Sequence, residues 1–390
     1  MRHLLVSTVI CCVLSSFVNA EEKTITIKVA SGKSTRKAPF EGKRASVDVA
    51  ILLDTSNSMD GLIKQAKSQL WTIVQQFAEA EKNGQTPSLR VSLFEYGNTS
   101  LPASEGYIRQ VVPLTDDLDK LSEALFALRT NGGDEYCGQV IKEAVKRLDW
   151  SKESNGYKAI FIAGNEPFTQ GSVDYKKACK KAIGKGIVVN TIHCGSYSDG
   201  VSGQWQAGAK LAEGKFLNIN QDERVVHIEC PQDELILKLN GDLNKTYLWF
   251  GSDTQRAYYK SNQIAQDSNA ASLSSGVLLR RAVAKGGGGY NNAQRDLVDA
   301  LAEDGDALEK IEEAKLPQSL RKLSAVDRKK HVDELASQRK KIQAEIAKLN
   351  RERSEYIAKH KKANAGDATL GDAVLEAVRS QLKESGFEVK

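Results

Sequence analysis

Apolar runs of strand length alternate with helical patterns from about residue 45 to residue 250. The strand-like runs are 47–53, 89–96, 107–113, 157–163, 186–193 and 215–219. Apolar residues at helical spacing mark 62–80, 118–128, 140–148, 174–183, 205–212 and 233–243. Strands that alternate with helices form βαβ units, and near-continuous apolar runs are typical of parallel strands covered on both faces. The pattern predicts an α/β fold over 43–250, with a doubly wound, mostly parallel six-stranded sheet.

Beyond residue 250 the sequence becomes helical and rich in Ala, Lys, Glu, Gln and Arg. We expect a connector over 251–295 with a break of four glycines, a basic helical region over 296–362, and a final helix within 363–390. A heptad repeat can be drawn through Val332, Leu335, Arg339, Ile342, Ile346, Leu349, Arg353 and Tyr356. Arginine at half of one seam favours packing on the chain's own helices over a short coiled coil, which stays the alternative.

The most apolar segment lies at the start of the chain. A polar start, an apolar run over 4–18 and the sequence Val18-Asn19-Ala20 predict a secretory signal peptide over 1–20. An N-terminal extension over 21–42 would follow it. An uncleaved anchor is the alternative, but the apolar run is short for a membrane span. We therefore expect an exported protein, periplasmic or secreted.

Composition and charge narrow the classes of partner. The chain has 390 residues, is 41% hydrophobic and 27% charged, and carries a net charge of only +5, which is ordinary for a globular protein. The segment 316–362 is different, with 14 Lys or Arg residues against 6 Asp or Glu residues. Because export argues against nucleic acid, we expect this segment to be a solvated helix or to contact an anionic surface polymer or lipid headgroup.

Four cysteines remain after the predicted cleavage: Cys137, Cys179, Cys194 and Cys230. An even number in an exported chain suggests up to two disulfides, and buried free thiols are the alternative. A thiol-redox enzyme would require an exposed thiol of low pKa among the first three. Since the sequence contains no other catalytic pattern, we predict a protein that is not an enzyme.

The residues with the clearest chemistry are Asp54-Thr55-Ser56-Asn57-Ser58, between the first strand and a long helix. An open parallel sheet binds ligands at its carboxyl edge, so this turn is in the expected place. One carboxylate and two hydroxyls at alternate positions are hard oxygen donors that suit Mg²⁺. Helix capping by Asp54, Ser56 and Ser58, without a metal, is the alternative interpretation.

With its lead-in strand and the βα pattern around it, this motif resembles the metal-ion-dependent adhesion site of the von Willebrand factor type A domain. That site begins with Asp-x-Ser-x-Ser after the first strand. The resemblance covers about residues 43–250, and the stretch 231–249 is similar to a subset of exported bacterial members. It implies a site for Mg²⁺ or Mn²⁺ that a threonine from a second loop and an aspartate from a third would complete.

The chain departs from the family pattern in both of these loops. Asp134 stands at the position of the threonine, and Gly164 at that of the aspartate. Asp54 and Asp134 would still supply two negative charges, and Glu166 is a tentative further ligand. The resemblance thus implies a metal site of Asp54, Ser56, Ser58, Asp134 and Glu166. Capping of the helix that starts near Tyr136 is the alternative role for Asp134.

The resemblance also implies a function. We expect a non-enzymatic protein-binding or adhesion module, in which an open metal position takes a carboxylate from an unidentified partner protein. The C-terminal helices would form an interaction or self-association arm. The alternative is a structural or scaffold protein of the envelope, with a non-functional metal site, that binds partners through its basic helices.

Overall fold

A six-stranded sheet with helices on both faces lies at the centre of the protein. The computed structural model describes residues 44–78, 80–153, 155–222, 227–360 and 370–389. The predicted signal peptide, the N-terminal extension and the stretch 361–369 lie outside the described residues. The described residues belong to one compact unit, Lys43–Lys390, and the predicted domain boundaries stay predictions.

The sheet has the predicted topology. Its strands are β1 (Ser46–Asp54), β3 (Ser88–Tyr96), β4 (Ile108–Thr115), β5 (Tyr157–Gly164), β6 (Val188–Cys194) and β7 (Phe216–Ile219), and two short strands, β2 (Ala80–Glu81) and β8 (Glu388–Val389), pair separately. The order is β4-β3-β1-β5-β6-β7, and only β4 runs antiparallel to its neighbour. The predicted α/β fold class with a mostly parallel six-stranded sheet is therefore confirmed.

Helices connect the strands and then continue to the end of the chain. Those of the α/β part are α1 (Asp60–Ala78), α2 (Leu118–Ala127), α3 (Cys137–Arg147), α4 (Tyr175–Ile183), α5 (Tyr197–Ser202), α6 (Trp205–Leu211) and α7 (Asp233–Asn244). The C-terminal part contains α8 (Asp253–Leu273), α9 (Ser275–Gly286), α10 (Leu297–Glu303), α11 (Ala307–Lys310), α12 (Gln318–Arg321), α13 (Ala325–His360) and α14 (Leu370–Glu384). In the described part of the chain, no helix combines the length and apolarity that a membrane crossing requires.

The side-chain alternation of β1 explains why both faces of the sheet are covered. Val47, Val49 and Leu53 face a core shared with α1, α2, α9 and α14, whereas Ala50 and Leu52 face a second core shared with α3, α4 and α6. Successive side chains of a strand point to opposite faces, so an uninterrupted apolar run needs a helical layer on each side. The C-terminal helices supply part of the first layer.

The long helix α13 packs on the chain's own helices α7, α9 and α10. Val332, Ile346 and Leu349 of the predicted seam are buried there. The seam arginines have acidic partners: Arg339 donates to Asp296 and Asp299, both at 2.7 Å, and Arg353 donates to Asp233 at 2.9 Å. The heptad stripe is therefore the packing face of an intramolecular helix, and the coiled-coil alternative is wrong for this stripe.

A group of buried charges joins α2 to the C-terminal helices, and we call Asp119, Asp267, Arg281 and Lys285 the ion-pair cluster. Arg281 lies 2.7 Å from Asp119 and 2.5 Å from Asp267, and Lys285 lies 3.2 Å from Asp267. Burial opposes ionisation of Asp267, but the charges of Lys285 and Arg281 lower its pKa to about 2. Every charge in this cluster therefore has an opposite charge beside it.

The four cysteines within the described residues form no disulfide with one another. Cys137, Cys179, Cys194 and Cys230 are all buried free thiols. Burial raises the pKa of each of them, to about 12 for Cys179. The predicted disulfides are therefore not seen among these four residues. The thiol-redox alternative requires an exposed thiol of low pKa, and none of these four thiols has that combination in the structure.

Candidate functional site

The candidate site lies at the carboxyl edge of the sheet, where the strand order reverses on the two sides of β1. β1 ends at Asp54 and the neighbouring β5 ends at Gly164. A backbone hydrogen bond of 2.9 Å from Asn131 N to Thr55 O ties the second loop to the first. This is the crevice in which doubly wound proteins bind their ligands.

Two buried carboxylates, those of Asp54 and Glu135, face each other in this crevice. A Cβ added to Gly97 would lie 2.8 Å from Asp54 Oδ1 and 2.7 Å from Glu135 Cγ, so both side chains pack directly on this glycine. Gly97 has a φ of 77°, a conformation that glycine adopts without strain. The backbone at residue 97 therefore provides the space in which the two acids meet.

Each of these acids has an oxygen without a hydrogen-bond partner among the described residues. Oδ1 of Asp54 accepts a hydrogen bond of 2.7 Å from the backbone N–H of Ser56, but Oδ2 accepts none. Oε2 of Glu135 is buried and likewise has no partner. Buried polar atoms are normally satisfied, so one unsatisfied oxygen on each of two neighbouring acids marks a place where something positively charged or proton-bearing belongs.

The electrostatics of the pair lead to the same conclusion. Burial raises the pKa of Asp54 well above its ordinary value, and the negative charge of Glu135 raises it further. Burial also raises the pKa of Glu135, and the charge of Glu166 contributes to the increase. Two close carboxylates in a buried site cannot both ionise cheaply, so they share a proton or bind a cation.

The two serines of the motif lie beside these acids. The hydroxyl oxygens of Ser56 and Ser58 are 3.1 Å apart, and Ser58 Oγ contacts Asn165 Oδ1 at 3.5 Å. Ser56 immediately precedes a short 3₁₀ helix, Asn57–Met59, but its hydroxyl makes no capping hydrogen bond there. The capping alternative therefore does not describe Ser56, although Asp54 does bond a backbone N–H.

The structure does not bring Asp134 against Asp54. Asp134 is exposed and its carboxylate accepts a hydrogen bond of 3.1 Å from the hydroxyl of Tyr136. It does not cap α3 either, since the residue before that helix is Tyr136 and makes no side-chain capping bond. The next residue, Glu135, is buried instead, so the inward carboxylate of this loop belongs to it.

Gly164 is an integral part of the altered site. A Cβ at Gly164 would lie 2.5 Å from the hydroxyl of Tyr96 and 3.1 Å from Asp54 Oδ2. Tyr96 is fully buried, and its hydroxyl donates to Ala163 O at 3.0 Å. A tyrosine thus fills the space that an aspartate at position 164 would need, and the loss of that aspartate and the presence of Tyr96 are complementary.

The third loop carries Glu166 beside the pair. Glu166 is half-buried, and its backbone oxygen accepts a 2.9 Å hydrogen bond from Trp205 Nε1. The neighbouring Asn165 is held by His193, whose Nε2 lies 3.2 Å from Asn165 O. The loop is therefore anchored by its backbone, while the carboxylate of Glu166 is left as an additional negative charge near Glu135.

The chemistry of these donors fits a small divalent cation. Asp54 and Glu135 offer carboxylate oxygens, and Ser56 and Ser58 offer hydroxyls, all of which are ligands that Mg²⁺ accepts. Over the described ranges, no group of three or more His, Cys, Asp or Glu residues is arranged to hold a metal. For a cation at this place, the two buried carboxylates would supply the main charge and the serines would supply neutral oxygens.

Sequence reasoning missed Glu135 and Tyr96. Glu135 adjoins the predicted Asp134, and only the direction of each side chain on an irregular loop separates the two candidates. Tyr96 ends β3 and Gly164 ends β5, and these two strands lie on either side of β1. A bulky residue at one strand end together with a glycine at the other is a combination that the sequence already contained.

The fold and this edge site define the class: a doubly wound α/β domain with two buried carboxylates at the strand-order reversal. The sequence model of the von Willebrand factor type A domain matches residues 48–209, and this part of the chain belongs to that family. No curated protein sequence matches the chain.

Several solved structures are similar to this chain over somewhat less than half of its length. BatB from Bacteroides thetaiotaomicron is 19% identical, with 45% of this chain and 90% of that chain covered and a TM-score of 0.34. The SpRpn10 VWA domain is 17% identical, with 47% and 100% covered and a TM-score of 0.35. The pilus adhesin SpaC from Lactobacillus rhamnosus GG is 13% identical, with 46% and 28% covered and a TM-score of 0.34.

Proposed function

We propose that this protein is a protein-binding module whose von Willebrand factor type A domain holds Mg²⁺ at Asp54, Ser56, Ser58 and Glu135. The observation that carries the proposal is the pair of buried carboxylates with one unsatisfied oxygen each. A divalent cation between them would remove their mutual repulsion and satisfy both oxygens. Glu166 is a further candidate ligand, and Asp134 has no direct part in the proposed site.

The proposed ion would also supply the means of recognition. Mg²⁺ prefers six oxygen ligands and usually keeps several waters in protein sites. Two carboxylates and two hydroxyls therefore leave positions open, and a carboxylate from a partner protein is the ligand that the family generally takes there. Mn²⁺ has similar oxygen preferences and would substitute for Mg²⁺.

Export belongs to the same proposal. The predicted signal peptide over 1–20 would direct the chain to the periplasm or out of the cell, where its partner would be a surface or envelope protein. Mass measurement of the protein isolated from its source cells tests this step. A mature chain that begins at Glu21 supports export, and an intact N-terminus argues against it.

Partner capture tests the binding function. The immobilised chain, without residues 1–20, is exposed to envelope proteins of the source cells in Mg²⁺ or in EDTA. We expect a captured protein that is lost in EDTA and on Asp54→Asn, but retained on the matched change Asp134→Asn. Capture that persists both in EDTA and with Asp54→Asn would contradict the proposal.

The alternative function, a scaffold that binds through its basic helices, draws less support. Several cations of 316–362 already have acidic partners in the chain, including Arg321, Arg328, Arg339 and Arg353. Binding of an anionic polymer or a lipid headgroup would rest on exposed lysines such as Lys330, Lys340 and Lys341. Self-association through the C-terminal helices would likewise use surfaces other than the buried heptad stripe.

A further inference from the structure

A cleft of about 580 Å³ lies between the first half of α1 and the junction of α8 with α9. The side chains that define its chemistry are Lys64, Ser68, Asp222, Leu273, Val277 and Arg280. Its volume is in the range of pockets that hold small ligands. The candidate site does not include this cleft, although Gln221 from its rim donates a 2.8 Å hydrogen bond to Ser58 O.

Arg280 contributes a positive charge without a counter-charge to this cleft. Its Nη2 donates a long hydrogen bond of 3.4 Å to Ser68 O, and its buried Nε has no partner. The next residue, Arg281, lies within 2.7 Å of two carboxylates. Across the described segments, Arg280 forms no ion pair, whereas Lys285, Arg295, Arg339 and Arg353 each have an acidic partner.

The surroundings make this unpaired charge unfavourable. Burial lowers the pKa of Arg280, and the charge of Arg353 lowers it further, so both effects oppose the charged form of the guanidinium. A partly buried cation without an opposite charge costs free energy that a bound anion would recover. The exposed Lys64 lines the same cleft and adds a second positive charge.

The acidic side chain of the cleft lies at its other end. Asp222 packs on Gly61, where an added Cβ would be 2.8 Å from its Oδ1, whereas Arg280 contacts α1 at Ser68. Seven residues of helix separate these two points by about 10 Å. The cleft therefore has a positive end, and the apolar side chains of Leu273 and Val277 line it as well.

We propose that the positive end of this cleft binds an oxyanion, a carboxylate or phosphate group, between Arg280 and Lys64. The planar guanidinium of arginine matches both groups with paired N–H donors, and a lysine ammonium adds a point charge. Leu273 and Val277 would contact the carbon part of the ligand. The site is separate from the proposed Mg²⁺ site and needs no metal.

Calorimetric titration in EDTA tests the proposal, with inorganic phosphate in one arm and the dicarboxylate glutarate in the other. We expect saturable binding of at least one of the two anions. The anion that binds more tightly shows whether the site prefers a phosphate or a carboxylate group. Arg280→Gln should weaken binding at least about tenfold, because it removes a charge-assisted hydrogen bond. Lys64→Gln should weaken it by about threefold, as loss of a solvent-exposed charge does.

Controls separate this site from general basicity and from the metal site. Lys330→Gln, which removes an exposed cation on α13, should leave the affinity unchanged, and Asp54→Asn should leave it unchanged too. Absence of saturable binding in both arms, or wild-type affinity in Arg280→Gln, would overturn the proposal. If Arg280→Gln alters the circular dichroism spectrum, unchanged affinity in the exposed Lys64→Gln variant would overturn it instead.

Discussion

Two groups of buried carboxylates in this protein have opposite surroundings. Asp119 and Asp267 of the ion-pair cluster have Arg281 and Lys285 within hydrogen-bonding distance. Asp54 and Glu135, at the edge of the same sheet, have no cationic partner among the residues that the structure describes. The pKa of Asp267 is lowered, despite burial, by its cationic partners, whereas burial and a neighbouring acid raise that of Asp54.

This difference separates a structural role from a binding role. A buried acid with a cationic partner contributes to the stability of the fold, because each charge satisfies the other. A buried acid without one destabilises the protein until something else supplies the positive charge. We infer that the ion-pair cluster holds the C-terminal helices on the α/β part, and that the Asp54–Glu135 pair is kept for a ligand.

The largest effect is expected for the ion-pair cluster. Arg281→Met would leave Asp119 and Asp267 buried with too little positive charge, and we expect the free energy of unfolding to fall by about 3–5 kcal/mol. Urea denaturation measures it. The adjacent Arg280→Met is the matched control and should change stability by less than about 1 kcal/mol, because no carboxylate loses a partner. Equal losses of unfolding free energy in Arg281→Met and Arg280→Met would contradict the structural role of the ion-pair cluster.

At the candidate site, removal of a charge is expected to raise the free energy of unfolding. Asp54→Asn keeps an oxygen for the Ser56 N–H and removes a charge whose ionisation burial and Glu135 oppose. In EDTA at neutral pH this variant should be more stable than the wild type, by about 1–3 kcal/mol. Thermal or urea unfolding in EDTA tests this. A loss of stability as large as that of Arg281→Met would show that Asp54 has a structural role.

Lowering the pH should reduce the contribution of the ion-pair cluster to stability within a defined pH range. The pKa of Asp267 is about 2 in the folded protein against an ordinary 3.8. A depressed carboxyl pKa gives stability that is present above about pH 4 and is lost as the pH falls toward 2. At about 1.4 kcal/mol per pKa unit, the wild type should lose roughly 2 kcal/mol more than Asp267→Asn between these values. Parallel pH dependences of the two proteins would contradict this assignment.

The smallest expected effect is the coupling between Gly164 and Tyr96, of about 1 kcal/mol. Gly164→Ala places a methyl group against the Tyr96 hydroxyl, and we expect a loss of about 1–3 kcal/mol. In a Tyr96→Phe background the same change should cost less, by about 1 kcal/mol, because the hydroxyl is gone. A double-mutant cycle from urea unfolding gives this coupling. Additive effects would show that Tyr96 does not exclude a side chain at position 164.

The hydrophobic period along the chain predicted the fold because both sheet faces are buried. Short apolar runs such as 47–53 and 157–163, each between helical patterns, fit strands that are covered by helices on both faces. The packing of the α13 heptad stripe was harder to predict from the sequence. Arg339 in a heptad weakens a coiled coil, but it also fits an intramolecular ion pair with Asp296. Only the three-dimensional position of the acids separates these two interpretations.

The candidate site was predictable in part, for a local reason. Asp54, Ser56 and Ser58 follow a regular strand, so their place at the sheet edge comes from the strand itself. Asp134 and Glu135 lie on an irregular loop, where no periodicity indicates which side chain points inward. Whether cysteines form disulfides is likewise a question of distance and direction, which the even count of four could not answer.

Calorimetric titration of Mg²⁺ into the wild type and three variants tests the central claim, that Asp54 and Glu135 together form a cation site. We predict binding to the wild type and to Asp134→Asn, and loss of binding in Asp54→Asn and in Glu135→Gln. Absence of heat at millimolar Mg²⁺ with folded wild-type protein would contradict the claim, as would binding that survives Glu135→Gln but disappears with Asp134→Asn.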